Sequence, residues 1–97
     1  MDKKTVEKIS KALGDPYRLK IIEAIKEEPN SWMACSALVS MFNLSQSTIS
    51  HHTKQLVDAD LLVAEKEGRC TRYKLNCSVF GSYISFLSGY EKVAPNP

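Results

Sequence analysis

Between Phe42 and Ser45 the chain has only Asn43 and Leu44 in which to leave one apolar helix and begin another. Two short helices joined so tightly, with a polar face on the second, read as a helix-turn-helix. Ser36 to Phe42 supplies the first, and Ser45 offers a hydroxyl to the free N–H groups of the second helix's opening turn. At 100° per residue, Ile49, His52, Thr53, Leu56 and Val57 fall on one side of that second helix, and Ser47, Ser50, His51 and Lys54 on the other. The first set is a core face. The second is short, hydrogen-bonding and almost free of carboxylates, which suits a helix laid against base edges and phosphates. An ordinary amphipathic surface helix with a Ser-rich solvated face has the same pattern, so the residues that follow carry the decision.

From Leu61 to Leu75 the pattern changes from helical to alternating. Leu62, Ala64, Thr71, Tyr73 and Leu75 fit one face of a hairpin whose turn is placed at Glu67-Gly68, setting Ala64 opposite Thr71 and Leu62 opposite Tyr73. Lys66 and Arg69 then stand at the tip and Arg72 on the outer face. A hairpin with a basic tip directly behind a recognition helix is a wing, which reaches flanking backbone or the minor groove. Basic residues on an exposed strand also discourage edge pairing. The expected DNA contacts are Ser45, Gln46, Ser47, Thr48, Ser50, His51 and Lys54 on a recognition helix over about 45–58, and Lys66, Arg69 and Arg72 on a wing over about 62–75.

Upstream, Val6, Ile9, Ala12 and Leu13 form one helical stripe that Gly14 ends. Asp15-Pro16 starts a second helix, with Asp15 as N-cap and Pro16 at the first position, where its missing N–H is not needed. Leu19, Ile21, Ile22, Ala24 and Ile25 make this the central core element, and Glu27-Glu28-Pro29-Asn30 breaks it. The third helix is expected from near Ser31, with Trp32 and Met33 at its start and Cys35, Leu38, Val39 and Phe42 turned inward. Asp60, where the recognition helix closes, tolerates a left-handed backbone better than most residues. The last helix begins at Asn76-Cys77-Ser78, and its Val79, Phe80, Tyr83, Ile84, Phe86, Leu87 and Tyr90 cover more circumference than one small core can hide. A second copy is the expected cover, meeting Val6, Ile9, Leu13, Phe80, Tyr83, Ile84 and Leu87. The fold expected is mainly α with a β-hairpin wing, a dimeric winged helix-turn-helix in the order α-α-α-α-β-β-α. Residues 1–92 make its single DNA-binding and dimerisation domain, and 93–97 a disordered tail.

Composition removes other classes. Ninety-seven residues support one core, to which a dimer interface adds. A net charge of +2 is too small to argue for nucleic acid, so local placement of charge carries that argument. No apolar run approaches the roughly 20 residues that span a bilayer. Met1-Asp2-Lys3-Lys4 leads into a charged helix, so a cytoplasmic protein without a membrane partner is expected. Three cysteines, none in a Cys-x-x-Cys pair, argue against a disulfide framework or zinc finger. Neighbouring His51 and His52 point about 100° apart, a poor metal pair. There is no Gly-rich phosphate loop or assembled carboxylate pair, so no catalytic residue, metal or cofactor is expected.

This element order resembles the ArsR/SmtB family of bacterial repressors. The residues that carry the likeness are Lys11-Ala12-Leu13-Gly14-Asp15-Pro16-Tyr17-Arg18-Leu19-Lys20-Ile21-Ile22, Leu44-Ser45-Gln46-Ser47-Thr48-Ile49-Ser50-His51-His52, Leu61-Leu62, Gly68-Arg69 and Tyr73, spanning about residues 5–90. The resemblance implies a homodimer that binds operator DNA and releases it when an effector arrives. The family's thiol site, Cys-Val-Cys-Asp in the third helix, corresponds here to Ala34-Cys35-Ser36-Ala37, and one thiol chelates a soft metal poorly. Its other site uses Asp and His on the last helix, and residues 78–90 contain neither. Thr53 stands where the family has Leu, and Asp60 where it has Gly. The effector is left unassigned. The alternatives are a thiol-based redox or arsenite-responsive repressor using Cys35, Cys70 or Cys77, and a winged-helix module for protein contacts without DNA.

Overall fold

Local capping sets where the helices begin. In the computed structural model, which describes residues 1–92, helix α1 (Lys3–Leu13) is capped by Asp2, whose carboxylate accepts from the Thr5 N–H at 2.8 Å. Helix α2 (Pro16–Lys26) is capped by Asp15, which accepts from Tyr17 and Arg18 N–H at 2.9 and 3.2 Å, with Pro16 in the first turn. A two-residue strand β1 (Met33–Ala34) precedes α3 (Cys35–Phe42). Asn43 takes a left-handed φ of 53°, turning the chain into α4 (Gln46–Asp58), whose cap Ser45 accepts from the Thr48 N–H at 3.2 Å. Asp60, with φ 60°, turns the chain again into β2 (Leu62–Glu67) and β3 (Cys70–Leu75). Helix α5 (Cys77–Ser88) and a 3-10 turn (Gly89–Lys92) follow. The tail expected at 93–97 lies outside the described residues.

Three expectations are corrected. The third helix starts at Cys35 rather than near Ser31, because Ser31 is left-handed (φ 69°) and Met33 and Ala34 pair antiparallel with Tyr73 and Arg72. The wing is therefore a three-stranded sheet in the order β1-β3-β2. The turn lies at Gly68-Arg69, since Glu67 pairs with Cys70, Ala64 with Tyr73 and Leu62 with Leu75. Gly68 has φ +60° and takes the first central position, where a primed turn needs positive φ; a turn at Glu67-Gly68 would put Glu67 there. The register slips by an even step, so the same residues keep the same face. Leu19, assigned to the core, is 48% exposed.

Ile9, Ile21, Ile25, Leu38, Ile49, Leu56 and Leu61 are fully enclosed, joining α1 to α4 into one core that the wing closes through Leu62 and Tyr73. Helix α5 has no buried residue. It leans on the core through Val79, Phe80 and Tyr83, and the Tyr83 and Ser10 hydroxyls are 2.8 Å apart. Ile84 and Leu87 remain exposed.

Candidate nucleic-acid interface

Helix α4 is held from beneath and from one side. Ile49, Thr53 and Leu56 are buried. The Thr53 hydroxyl donates to the Tyr73 hydroxyl of β3 at 3.1 Å, with the Ser50 carbonyl as a second acceptor at 3.2 Å. Burial pushes the Tyr73 phenol above its usual range, the Thr53 donor opposes that, and the Cys35 thiol beside it adds to the rise. A polar chain Thr53–Tyr73–Cys35 thus ties the recognition helix to the wing and to α3.

On the other flank, the largely enclosed His52 stacks on Tyr17 with ring centroids 6.0 Å apart. Its Nδ1 lies 3.5 Å from Arg18 Nη1 and 3.9 Å from Asp15 Oδ1. Arg18 Nε donates to the Ala12 carbonyl at 2.6 Å, an acceptor that α1 leaves free at its end, and its Nη2 to the Lys11 carbonyl at 3.3 Å, which also accepts from the Gly14 N–H. Partial burial opposes the Asp15 charge, but the Arg18 and Tyr17 N–H groups, then His52 and the Arg18 guanidinium, hold its carboxyl below the usual range. The sequence reading assigned Asp15 only as a cap and His52 only to the core side. This anchor was legible only as a cap with a Tyr and an Arg directly behind it.

With both flanks fixed, Gln46, Ser47, Thr48, Ser50, His51 and Lys54 present an exposed face whose first three turns carry no carboxylate. The hydroxyls of Ser45 and Thr48 are 2.8 Å apart, so part of their hydrogen-bonding capacity stays within the cap. Lys54 Nζ lies 3.0 Å from Asp58, an exposed pair of little worth that leaves the ammonium free to swing. Lys66 and Arg69 are exposed at the wing tip. Arg72 differs: its guanidinium lies 4.4 Å from the Trp32 ring centroid and pairs with Glu65, and Lys74 covers the same ring at 4.9 Å. Trp32, expected at a helix start, is instead the platform on which the outer face of the wing rests.

The residues expected at a dimer contact divide likewise. Ile84 and Leu87 are exposed, and Val6, Leu13, Phe80 and Tyr83 are half-buried. Ile9 is wholly enclosed within its own chain and offers a partner no surface. Cys35 is buried, Cys70 and Cys77 exposed. Among the described residues no group of three or more His, Cys, Asp or Glu is placed to hold a metal, and no helix is long and apolar enough to cross a membrane.

Residues 15–63 match the family described as bacterial regulatory protein, arsR family. An arsenical resistance operon repressor of Staphylococcus xylosus is 40% identical over 76 residues, covering 78% of this chain and 70% of that protein. A crystal structure of an ArsR family transcriptional regulator superposes with a TM-score of 0.82 at 18% identity, covering 97% of this chain and 98% of the other. The solution structure of a homodimeric winged helix-turn-helix DNA-binding domain from Mycobacterium bovis superposes with a TM-score of 0.72 at 20% identity, covering 97% and 86%. At such identities these structures speak for the fold.

Proposed function

We infer, from the fact that this chain belongs to the arsR family of bacterial regulatory proteins, that it is a DNA-binding transcriptional repressor. It acts in the cytoplasm as a homodimer on a specific double-stranded operator. The observation that carries this reading is the exposed face of α4: hydrogen-bonding side chains without a carboxylate before Asp58, on a helix fixed by core contacts below and by the His52 and Tyr73 anchors at its flanks. In the proposed complex Gln46, Ser47, Ser50 and His51 meet base edges in the major groove, and Lys54 meets phosphate. Lys66 and Arg69 meet the flanking backbone. Arg72 supports the wing from behind, held by Trp32 and Glu65. The second copy covers Ile84 and Leu87, joined by Val6, Leu13, Phe80 and Tyr83.

Operator binding measured by fluorescence anisotropy across salt concentrations tests the reading. Affinity should fall steeply with salt, because each phosphate contact releases condensed counterions. Arg69→Ala should weaken binding to all sequences alike and flatten the salt slope. Ser47→Ala should instead alter which sequences are preferred, at about 1–3 kcal/mol for a lost bidentate contact and less for a single one. Equal affinity for every sequence, or no response to salt, would refute it.

A further inference from the structure

Two cysteine residues line one cavity. It is about 230 Å³, lies between α3, the start of α4 and the wing tip, and is lined by Cys35, Val39, Gln46, Ser50, Arg69 and Cys70 among others. Cys77 lies elsewhere, lining a separate hollow with Lys26 and Lys74. We propose that this cavity is an oxidation site, at which a small hydroperoxide joins Cys35 to Cys70 and so repositions the wing tip. The covalent chemistry stands by itself; its effect on operator binding rests on the repressor reading above.

The two sulfurs have different access and therefore different roles. Cys70 is exposed, directly after the Gly68-Arg69 turn, so it meets the oxidant first. Arg69 lines the same cavity, and its exposed guanidinium carries donors that can reach the oxygen that leaves. Cys35 is only 8% exposed, in the cavity lining beside Tyr73, and is sheltered until Cys70 has reacted. In the first step the Cys70 sulfur attacks one peroxide oxygen. The O–O bond breaks, the other oxygen leaves as alkoxide and takes the thiol proton, giving an alcohol and a Cys70 sulfenic acid. In the second step the Cys35 sulfur attacks the sulfenic sulfur. An S–S bond forms, and hydroxide leaves with the Cys35 proton as water. Two thiols are oxidised, and one hydroperoxide is reduced to alcohol and water.

Strand geometry says what the bond must move. Ala34 pairs with Arg72, so Cys35 enters α3 level with Thr71, one residue from Cys70. Alternation along β3 gives Thr71 and Tyr73 the inner face and Cys70 and Arg72 the outer. A disulfide demands Cβ atoms turned toward each other, so the terminal Glu67–Cys70 pair must leave the ladder and the tip must roll inward. Arg69 travels with it toward Gln46 and Ser50, and the surface offered to DNA changes.

The test uses the reduced full chain and tert-butyl hydroperoxide as the probe. Peptide mapping without reduction should show a Cys35–Cys70 cross-link within one chain, reversed by dithiothreitol. Cys35→Ala should stop at a sulfenic acid on Cys70 that dimedone traps, Cys70→Ser should give neither product, and Cys77→Ser should behave as wild type. Operator affinity should fall about tenfold on oxidation and return on reduction. A cross-link through Cys77, a bond between chains, or no cross-link overturns the site. A Cys35–Cys70 bond with unchanged operator affinity overturns the coupling. Failure of the reduced protein to bind any operator would instead sink the repressor reading and leave the cross-link result standing.

Discussion

Replacing Thr53 by Val and Tyr73 by Phe, singly and together, isolates the contact that ties the recognition helix to the wing. Thr53 is 1% exposed and Tyr73 6%, so water does not compete for their hydroxyls. The Thr53 hydroxyl left by Tyr73→Phe still has the Ser50 carbonyl, and the Tyr73 hydroxyl left by Thr53→Val still lies beside the Cys35 thiol. Each single variant loses the shared hydrogen bond, about 1 kcal/mol net, together with whatever else the deleted hydroxyl contributes. The double variant loses that shared bond only once, so it should cost ~1 kcal/mol less than the two single losses summed, a coupling energy of ~1 kcal/mol. For a domain of this size each kcal/mol lost lowers Tm by roughly 4–8 °C. Urea unfolding at one fixed protein concentration is the assay, since a dimer's stability depends on concentration. If the two single losses add to within about 0.5 kcal/mol, the hydroxyls are not coupled and the anchoring argument fails.

Three further outcomes follow from other parts of the molecule. Leu87→Arg, which puts a charge on the exposed apolar face of α5, should give monomers by sedimentation with weakened operator binding; an unchanged dimer would move the interface elsewhere. Asp60→Gly should stabilise the chain by about 1 kcal/mol, because Asp60 is left-handed with φ 60° and glycine carries no steric penalty there; a loss of stability would mean the Asp side chain contributes more than its backbone costs. Asp15 has a folded pKa below its unfolded value, so its charge contributes stability that is present above the unfolded carboxylate value and lost as pH falls through the folded one. Asp15→Asn, which keeps a capping oxygen, should accordingly show a shallower loss of Tm on acidification below about pH 4 than wild type. Parallel acid limbs would place the titrating group elsewhere.

What the sequence determined by itself was whatever is written within a few residues. Asp15 and Ser45 each cap the helix directly behind them, so those helix starts were legible, as was Asp60 as a left-handed corner. The period change after Asp60 disclosed the wing, and an even slip in its register left every face assignment intact. The polar face of α4 was legible for the same reason, because 100° per residue is a local rule. The tertiary structure decided the rest. Strand β1 has two residues, too few for any period, and exists only because β3 offers Met33 and Ala34 an edge. Arg72 reads in the sequence as a free cation, and only the fold sets it over Trp32 and beside Glu65. Ile9 and Leu19 belong to equally apolar stripes, yet one is enclosed and the other exposed, because burial depends on which neighbours arrive. Cys35 and Cys70 carry no pairing signal in the sequence; they share a cavity because antiparallel pairing of β1 with β3 brings the start of α3 to the wing tip.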